Sequence, residues 1–187
     1  STANYEARKY GVRSAMSSKV AMLKCPILRF QPPRFEVYKE VSAQIHRIFA
    51  EYTDMVEKFG IDESWLDVTN SYHLFAKDGE ELADMIRQRV YYETGLTISV
   101  GVSFNKVFAK LGSDMKKPDA VTIISRENFK QKVWELPVND LLFVGKRTAE
   151  KLNQNGIFTV KDVTKCDNDM LIRLLGKAGE QLKQYAM

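Results

Sequence analysis

The chain is poor in what builds extracellular scaffolds and membrane spans. It has two cysteines in 187 residues, Cys25 and Cys166. They form no CxxC pair and are too few for a disulfide framework, so both are expected to be reduced thiols in a cytoplasmic protein. No apolar run approaches the roughly 20 residues that cross a bilayer, and STANYEARKYG at the start holds no apolar signal core. No membrane partner is therefore expected. His46 and His73 have no cysteine or second histidine at ligand spacing, so no zinc site is expected. No tract is of low complexity.

The charge that is present is unevenly placed. Residues 1–34 carry seven Lys/Arg against one acid, residues 35–124 ten against fifteen, and residues 125–187 eleven against eight. An acidic middle between basic ends suits a cation-binding centre flanked by polyanion-contacting surfaces. Chance segregation of surface charge fits the same counts.

Periodicity divides the chain. Residues 3–9 read as a helix, and Pro26, Pro32 and Pro33 then interrupt regular structure. Val37, Val41, Ile45, Ile48, Phe49 and Tyr52 recur at helical spacing. Val56–Ile61 and Ser64–Thr69 read as short strands meeting near Asp62–Glu63. Asp78 and Glu81 resemble a capping box. The helix it opens should bury Leu82, Met85, Ile86 and Val90 and stop at Gly95. Ile98, Val100 and Val102 alternate as a strand, Asn105–Met115 is a second helix, and Val121–Ile124 a last strand. The middle thus predicts an α+β fold, a mainly antiparallel sheet with two helices on one face. From about residue 125 the pattern becomes all-helical. Within it, FVGKRTAEKL (143–152) and LLGKAGEQL (174–182) form a weak repeat: two apolar residues, Gly-Lys, then Glu and Leu. A glycine between helices permits a tight turn and lets backbone N–H groups approach a phosphate. The repeat resembles the helix-hairpin-helix element; two ordinary turns in a helical bundle would also produce it.

Within GIDESWLDVT (60–69), Asp62 and Glu63 can share a ligand only if the chain reverses there, because neighbours on one strand point to opposite faces. Two carboxylates on a turn, completed by waters and phosphate oxygens, suit Mg²⁺. A pair of solvated acids at a hairpin tip is the alternative reading of the same residues. Asp67 is expected to cap or pair locally.

Taken in order, four segments resemble the Y-family translesion DNA polymerases, particularly the bacterial DNA polymerase IV type. They are STANYEARKYGVRSAM in the fingers, GIDESWLDVT at the catalytic motif, SVGVSFNKVFAKLGSDMKKPD in the palm and LPVNDLLFVGKRTAEKLNQNGI in the thumb. The resemblance implies partial fingers over 1–34, a palm over 35–124 and a helix-hairpin-helix thumb over 125–187. It implies template-directed DNA synthesis past damaged bases, by two-metal nucleotidyl transfer with two Mg²⁺ ions. Asp62 and Glu63 fall on catalytic, metal-binding carboxylates. Thr2, Tyr5, Arg8 and Lys117 fall on positions that contact the incoming triphosphate. Gly145, Lys146, Gly176 and Lys177 fall on the hairpins that grip DNA backbone. Asn105 and Lys106 are expected to support the neighbouring strand. Partners would be primer–template DNA, deoxynucleoside triphosphates and a sliding clamp bound through a segment outside this chain.

Departures accompany the resemblance. The family's first catalytic aspartate, its aromatic steric gate and its little-finger domain have no counterpart in these residues. The chain is therefore expected to be a fragment, inactive alone, with the third carboxylate upstream of Ser1. Gly60 stands where serine is usual, and Phe143-Val144-Gly145 where a second glycine is usual. A non-catalytic DNA-binding or scaffold member of the same family is the competing function.

Overall fold

A computed structural model describes residues 2–187. It contains two compact units, Ser1–Val37 and Tyr38–Met187. In the first, Asn4 accepts from the Ala7 amide at 2.9 Å and so caps α1 (Tyr5–Lys9). Ser17 caps α2 (Ser18–Lys24) in the same way. A small apolar cluster of Ala7, Val12, Ala21 and Cys25 joins them.

The second unit begins within α3 (Phe35–Ala50), followed by β1 (Val56–Lys58) and β2 (Ser64–Leu66). Next come α4 (Gly79–Thr94), β3 (Val100–Ser103), α5 (Lys106–Met115) and β4 (Val121–Ile124). The start and stop signals of α4 act as the sequence predicts. The Asp78 side chain accepts from the Glu81 amide at 2.9 Å. The Glu81 carboxylate reaches back to the amide of Lys77, one residue short of a closed capping box. Gly95 ends the helix at φ 72°, a conformation glycine adopts without Cβ strain. Leu82, Ile86 and Val90 are buried as expected, with Ala83 beside them. Met85 is not: it is 39% exposed, because the buried stripe of this helix runs through position 83 instead. Leu82, Ile86 and Val90 pack with Ile48 and Tyr52 of the α3 region, and Leu66 and Ile98 lean on this cluster.

The α+β class and the helical C-terminal region stand, but the sheet differs from the single, mainly antiparallel one expected. There are two separate strand pairs among the described residues. β1 and β2 form an antiparallel hairpin, with Val56 opposite Leu66 and Lys58 opposite Ser64. β3 and β4 are parallel, with Val100 opposite Val121 and Ser103 opposite Ile124. The reason is the connection. β3 returns to β4 through the helix α5, and a helical crossover delivers the second strand in the same direction as the first. α5 lies hard against this pair. A Cβ on Gly101 would stand 1.8 Å from the Ala109 carbonyl oxygen, and one on Gly112 would stand 3.3 Å from the Gly101 Cα. These two glycines are what allow the helix to touch the strand.

Five helices follow: α6 (Phe129–Val133), α7 (Lys146–Asn153), α8 (Val160–Lys165), α9 (Asn168–Leu175) and α10 (Lys177–Ala186). The largest apolar cluster runs from Val107, Phe108 and Leu111 of α5 through Ile124 and Val133 to Leu152, Val163, Leu171 and Ala186. α5 thus contributes to the same core as the C-terminal helices. A buried side chain of this kind contributes about 1.5–3 kcal/mol.

Candidate functional site

The sequence GIDES must turn between β1 and β2, and it does. The Phe59 amide donates to the Glu63 carbonyl at 2.9 Å, closing the reversal around Gly60, Ile61 and Asp62. Asp62 is exposed at the tip and Glu63 is half-buried at the start of the return strand. The backbone therefore reverses at the two acids, as the sequence requires if they are to share a ligand.

Two helices hold this hairpin. From α3, the Ser42 hydroxyl donates to the Ile61 carbonyl at 2.5 Å. His46 Nδ1–H donates to the Ser42 carbonyl at 2.6 Å, which leaves Nε2 to accept from the Ser64 hydroxyl at 2.7 Å. From α5, the Lys106 carbonyl accepts from the Trp65 indole at 3.0 Å. The Lys106 ammonium pairs with Glu57 of β1. Lys106 thus supports the neighbouring strands as expected, whereas Asn105 acts on its own helix, capping it through the Phe108 amide at 2.8 Å. Asp67 accepts from the Thr69 amide at 3.0 Å, the local role foreseen for it, and hydrogen bonds from the Thr69 side chain and amide hold its carboxyl below the usual range.

The residue that sequence reasoning missed is Lys110. Its ammonium lies 2.7 Å from Glu63 Oε1 and 2.8 Å from Asp114 Oδ2. Asp114 Oδ1 in turn lies 2.7 Å from the Lys117 ammonium. Burial alone would depress the Lys110 pKa; the hydrogen bonds to Asp114 and Glu63 outweigh it and lift the ammonium above its ordinary value. Burial likewise opposes ionisation of Asp114, but Lys110 and Lys117 together hold its carboxyl below the usual range. Spacing could have suggested half of this, because Lys110 and Asp114 are one helical turn apart. The link to Glu63, 47 residues away, leaves no local signal.

An aromatic row passes beside the turn. Phe59 meets Trp65 at a tilt, 4.5 Å between centroids, and Phe143 edge-on at 6.3 Å, and Phe143 lies 6.0 Å from Tyr185 of α10. Phe143 takes φ 68°, which costs a residue with a Cβ roughly 1–2 kcal/mol.

The remaining predicted residues belong to other elements. Thr2 is exposed, and Tyr5 and Arg8 lie three apart on α1 in the first unit. The Arg8 side chain donates to the Ala3 carbonyl at 2.8 Å. Gly145 is the N-cap of α7 and Gly176 that of α10, so Lys146 and Lys177 each open a helix at an exposed turn. Only Gly176, at φ 66°, needs to be glycine for its backbone.

Among the described residues, no group of three or more His, Cys, Asp or Glu is placed to hold a metal. Asp62 and Glu63 fit such an ion in part. Their oxygens are hard donors on one turn, and Mg²⁺ accepts a few carboxylates with water and phosphate oxygens in the other positions. No helix among the described residues is long and apolar enough to cross a membrane.

Comparison with known proteins agrees along the whole chain. The impB/mucB/samB family matches residues 1–114, and the HHH motif of the same family matches 126–157. DNA polymerase IV of Acetivibrio thermocellus is 49% identical over 183 residues, covering 98% of this chain and 46% of that protein. DNA polymerase IV of Pseudomonas aeruginosa strain PAO1 is 47% identical over 181 residues, 97% of this chain and 52% of that one. The chain thus spans about half the length of the curated relatives it matches. Among solved structures, DinB from Sulfolobus solfataricus superposes with a TM-score of 0.89 at 33% identity, over 98% of this chain and 54% of that one. The insertion ternary complex of Dbh DNA polymerase gives the same TM-score, identity and coverage. With most of its length matched by the family model and its fold shared with these polymerases, the chain belongs to the impB/mucB/samB family, the DinB-type Y-family DNA polymerases.

Proposed function

We propose that this chain is the part of a translesion DNA polymerase that carries two catalytic carboxylates, the triphosphate contacts and a DNA-gripping helical segment. The observation that carries the reading is the closed reversal between Phe59 and Glu63, which presents Asp62 and Glu63 together on one turn in a member of a polymerase family.

Phosphoryl transfer needs positioning and charge neutralisation more than covalent help from the protein. Asp62 and Glu63 would hold divalent metal, two Mg²⁺ ions with a third carboxylate from outside this chain. When bound, such ions activate the primer 3′-hydroxyl and neutralise charge on the triphosphate. Glu63 sits nearer the primer end in this assignment. Thr2, Tyr5, Arg8 and Lys117 bind the triphosphate, Arg8 through a planar fork suited to phosphate oxygens. Gly145, Lys146, Gly176 and Lys177 hold duplex backbone without reading bases, so affinity falls steeply with salt. The partners are primer–template DNA and deoxynucleoside triphosphates, with a sliding clamp engaged outside these residues and the cytoplasm as the compartment. The domains are fingers over 1–34, palm over 35–124 and thumb over 125–187.

The test is Asp62→Ala or Glu63→Ala in the whole protein. Primer extension should be abolished while primer–template affinity stays within a few fold. Normal turnover by either variant would refute the assignment.

A further inference from the structure

Lys110 is 17% exposed, and its ammonium is shared by two acids. A cation so far removed from water persists only with partners. One acid, Asp114, is its neighbour on the next helical turn and would have sufficed as a surface pair. The other, Glu63, comes from a different element and is one of the two carboxylates on the turn. Asp114 spends its second oxygen on Lys117, the lysine assigned to the triphosphate. Glu63, Lys110, Asp114 and Lys117 thus form one line of alternating charge. Its two ends are the two groups with which the site would meet its substrates.

The two lysines differ in freedom. Lys110 is the interior member, while Lys117 is 49% exposed and lies two residues beyond the end of α5. Moving Lys110 would strand two carboxylates. Moving Lys117 strands none, because Asp114 keeps Lys110. Resting on the polymerase reading above, we infer that Lys110 is a positioning residue with two effects. It fixes the Glu63 carboxylate, and by sharing Asp114 it keeps the hold on Lys117 weak enough for a nucleoside triphosphate to take that lysine over. Asp114 is then the resting place from which Lys117 is drawn to phosphate.

The arrangement makes an unusual demand on a double variant. Lys110→Met removes the tether of Glu63 and leaves Asp114 to grip Lys117 alone. In the whole protein, kcat for single-nucleotide insertion should fall and the KM for dATP opposite template T should rise. The affinity for dATP on a dideoxy-terminated primer, where no turnover occurs, should weaken with KM. Each change is expected to be about tenfold, the size of one charge-assisted hydrogen bond lost or gained. Adding Asp114→Asn frees Lys117 again. The double variant should therefore regain near-wild-type dATP affinity while its kcat stays low, and Lys110→Arg should recover part of both. Thermal melting of each variant establishes that it is folded. A folded Lys110→Met with wild-type kcat and affinity overturns the inference, as does a double variant that binds dATP no better than Lys110→Met. If the wild-type protein itself fails to extend primers, the polymerase reading falls and takes this inference with it, an outcome distinct from the other two.

Discussion

The hairpin β1–β2 and the unit β3–α5–β4 are both strand pairs, yet they are built in opposite ways. The hairpin has three paired residues per strand, and Phe59, Ile61 and Asp62 around its turn are exposed. It is held mainly by side chains reaching in from α3 and α5. In the second unit Phe108 and Ile124 are fully buried, and backbone meets backbone at Gly101 and Gly112. Both acids sit on the shallow element, and Lys110, which pairs with Glu63, sits on the deep one. Close packing tolerates little displacement, so α5 can serve as a fixed reference for a turn with almost no core of its own.

Glycine substitutions offer the strongest way to break that contrast. Gly101→Ala drives a methyl into the Ala109 carbonyl and should cost on the order of 3–5 kcal/mol or prevent folding, read by denaturant unfolding. Gly60→Ser places its Cβ 3.6 Å from Asp62 Oδ1, an ordinary contact, and should stay within about 0.5 kcal/mol of wild type. Equal losses at the two positions would mean that the hairpin is as rigidly packed as the scaffold. Between these extremes lies Trp65→Phe, which keeps a ring against Phe59 and removes the indole bond to Lys106. A loss of about 1 kcal/mol is expected, concentrated as faster hydrogen exchange at the Phe59 amide with a small change in global melting. A uniform rise in exchange across α5 would show instead that hairpin and scaffold open as one.

The deep element was the more legible of the two. Val121–Ile124 was read as a strand to the residue, and Asn105 with Pro118 bracketed α5, because burial imposes an apolar pattern on such elements. In the hairpin the reversal at Asp62–Glu63 could be read, since two acids between apolar runs fit a turn better than a strand. The strands themselves were overextended to Ile61 and Thr69, because exposed ends carry no alternation that burial would enforce. The parallel pairing of β3 with β4 followed from the helical crossover, which the predicted element order already contained. Lys110 and His46 were illegible as site residues for one reason: each acts on a partner 18 or more positions away, and nothing local records such a meeting. Phe143 was visible only as a missing glycine; its left-handed backbone and its contacts with Phe59 and Tyr185 needed coordinates.

The chain has two tryptophans, one on the hairpin and one among the C-terminal helices. Trp65 lies on the hairpin with Phe59 across its face and Lys106 5.7 Å above the ring. Trp134 lies among the C-terminal helices, against Phe129 and beneath Lys130. Replacing Trp134 with phenylalanine would leave a single tryptophan, a few residues from the acids, which red-edge excitation selects over the eight tyrosines. Its emission should shift when magnesium and nucleotide are titrated together and stay constant with either absent, giving an optical record of the turn without an attached dye.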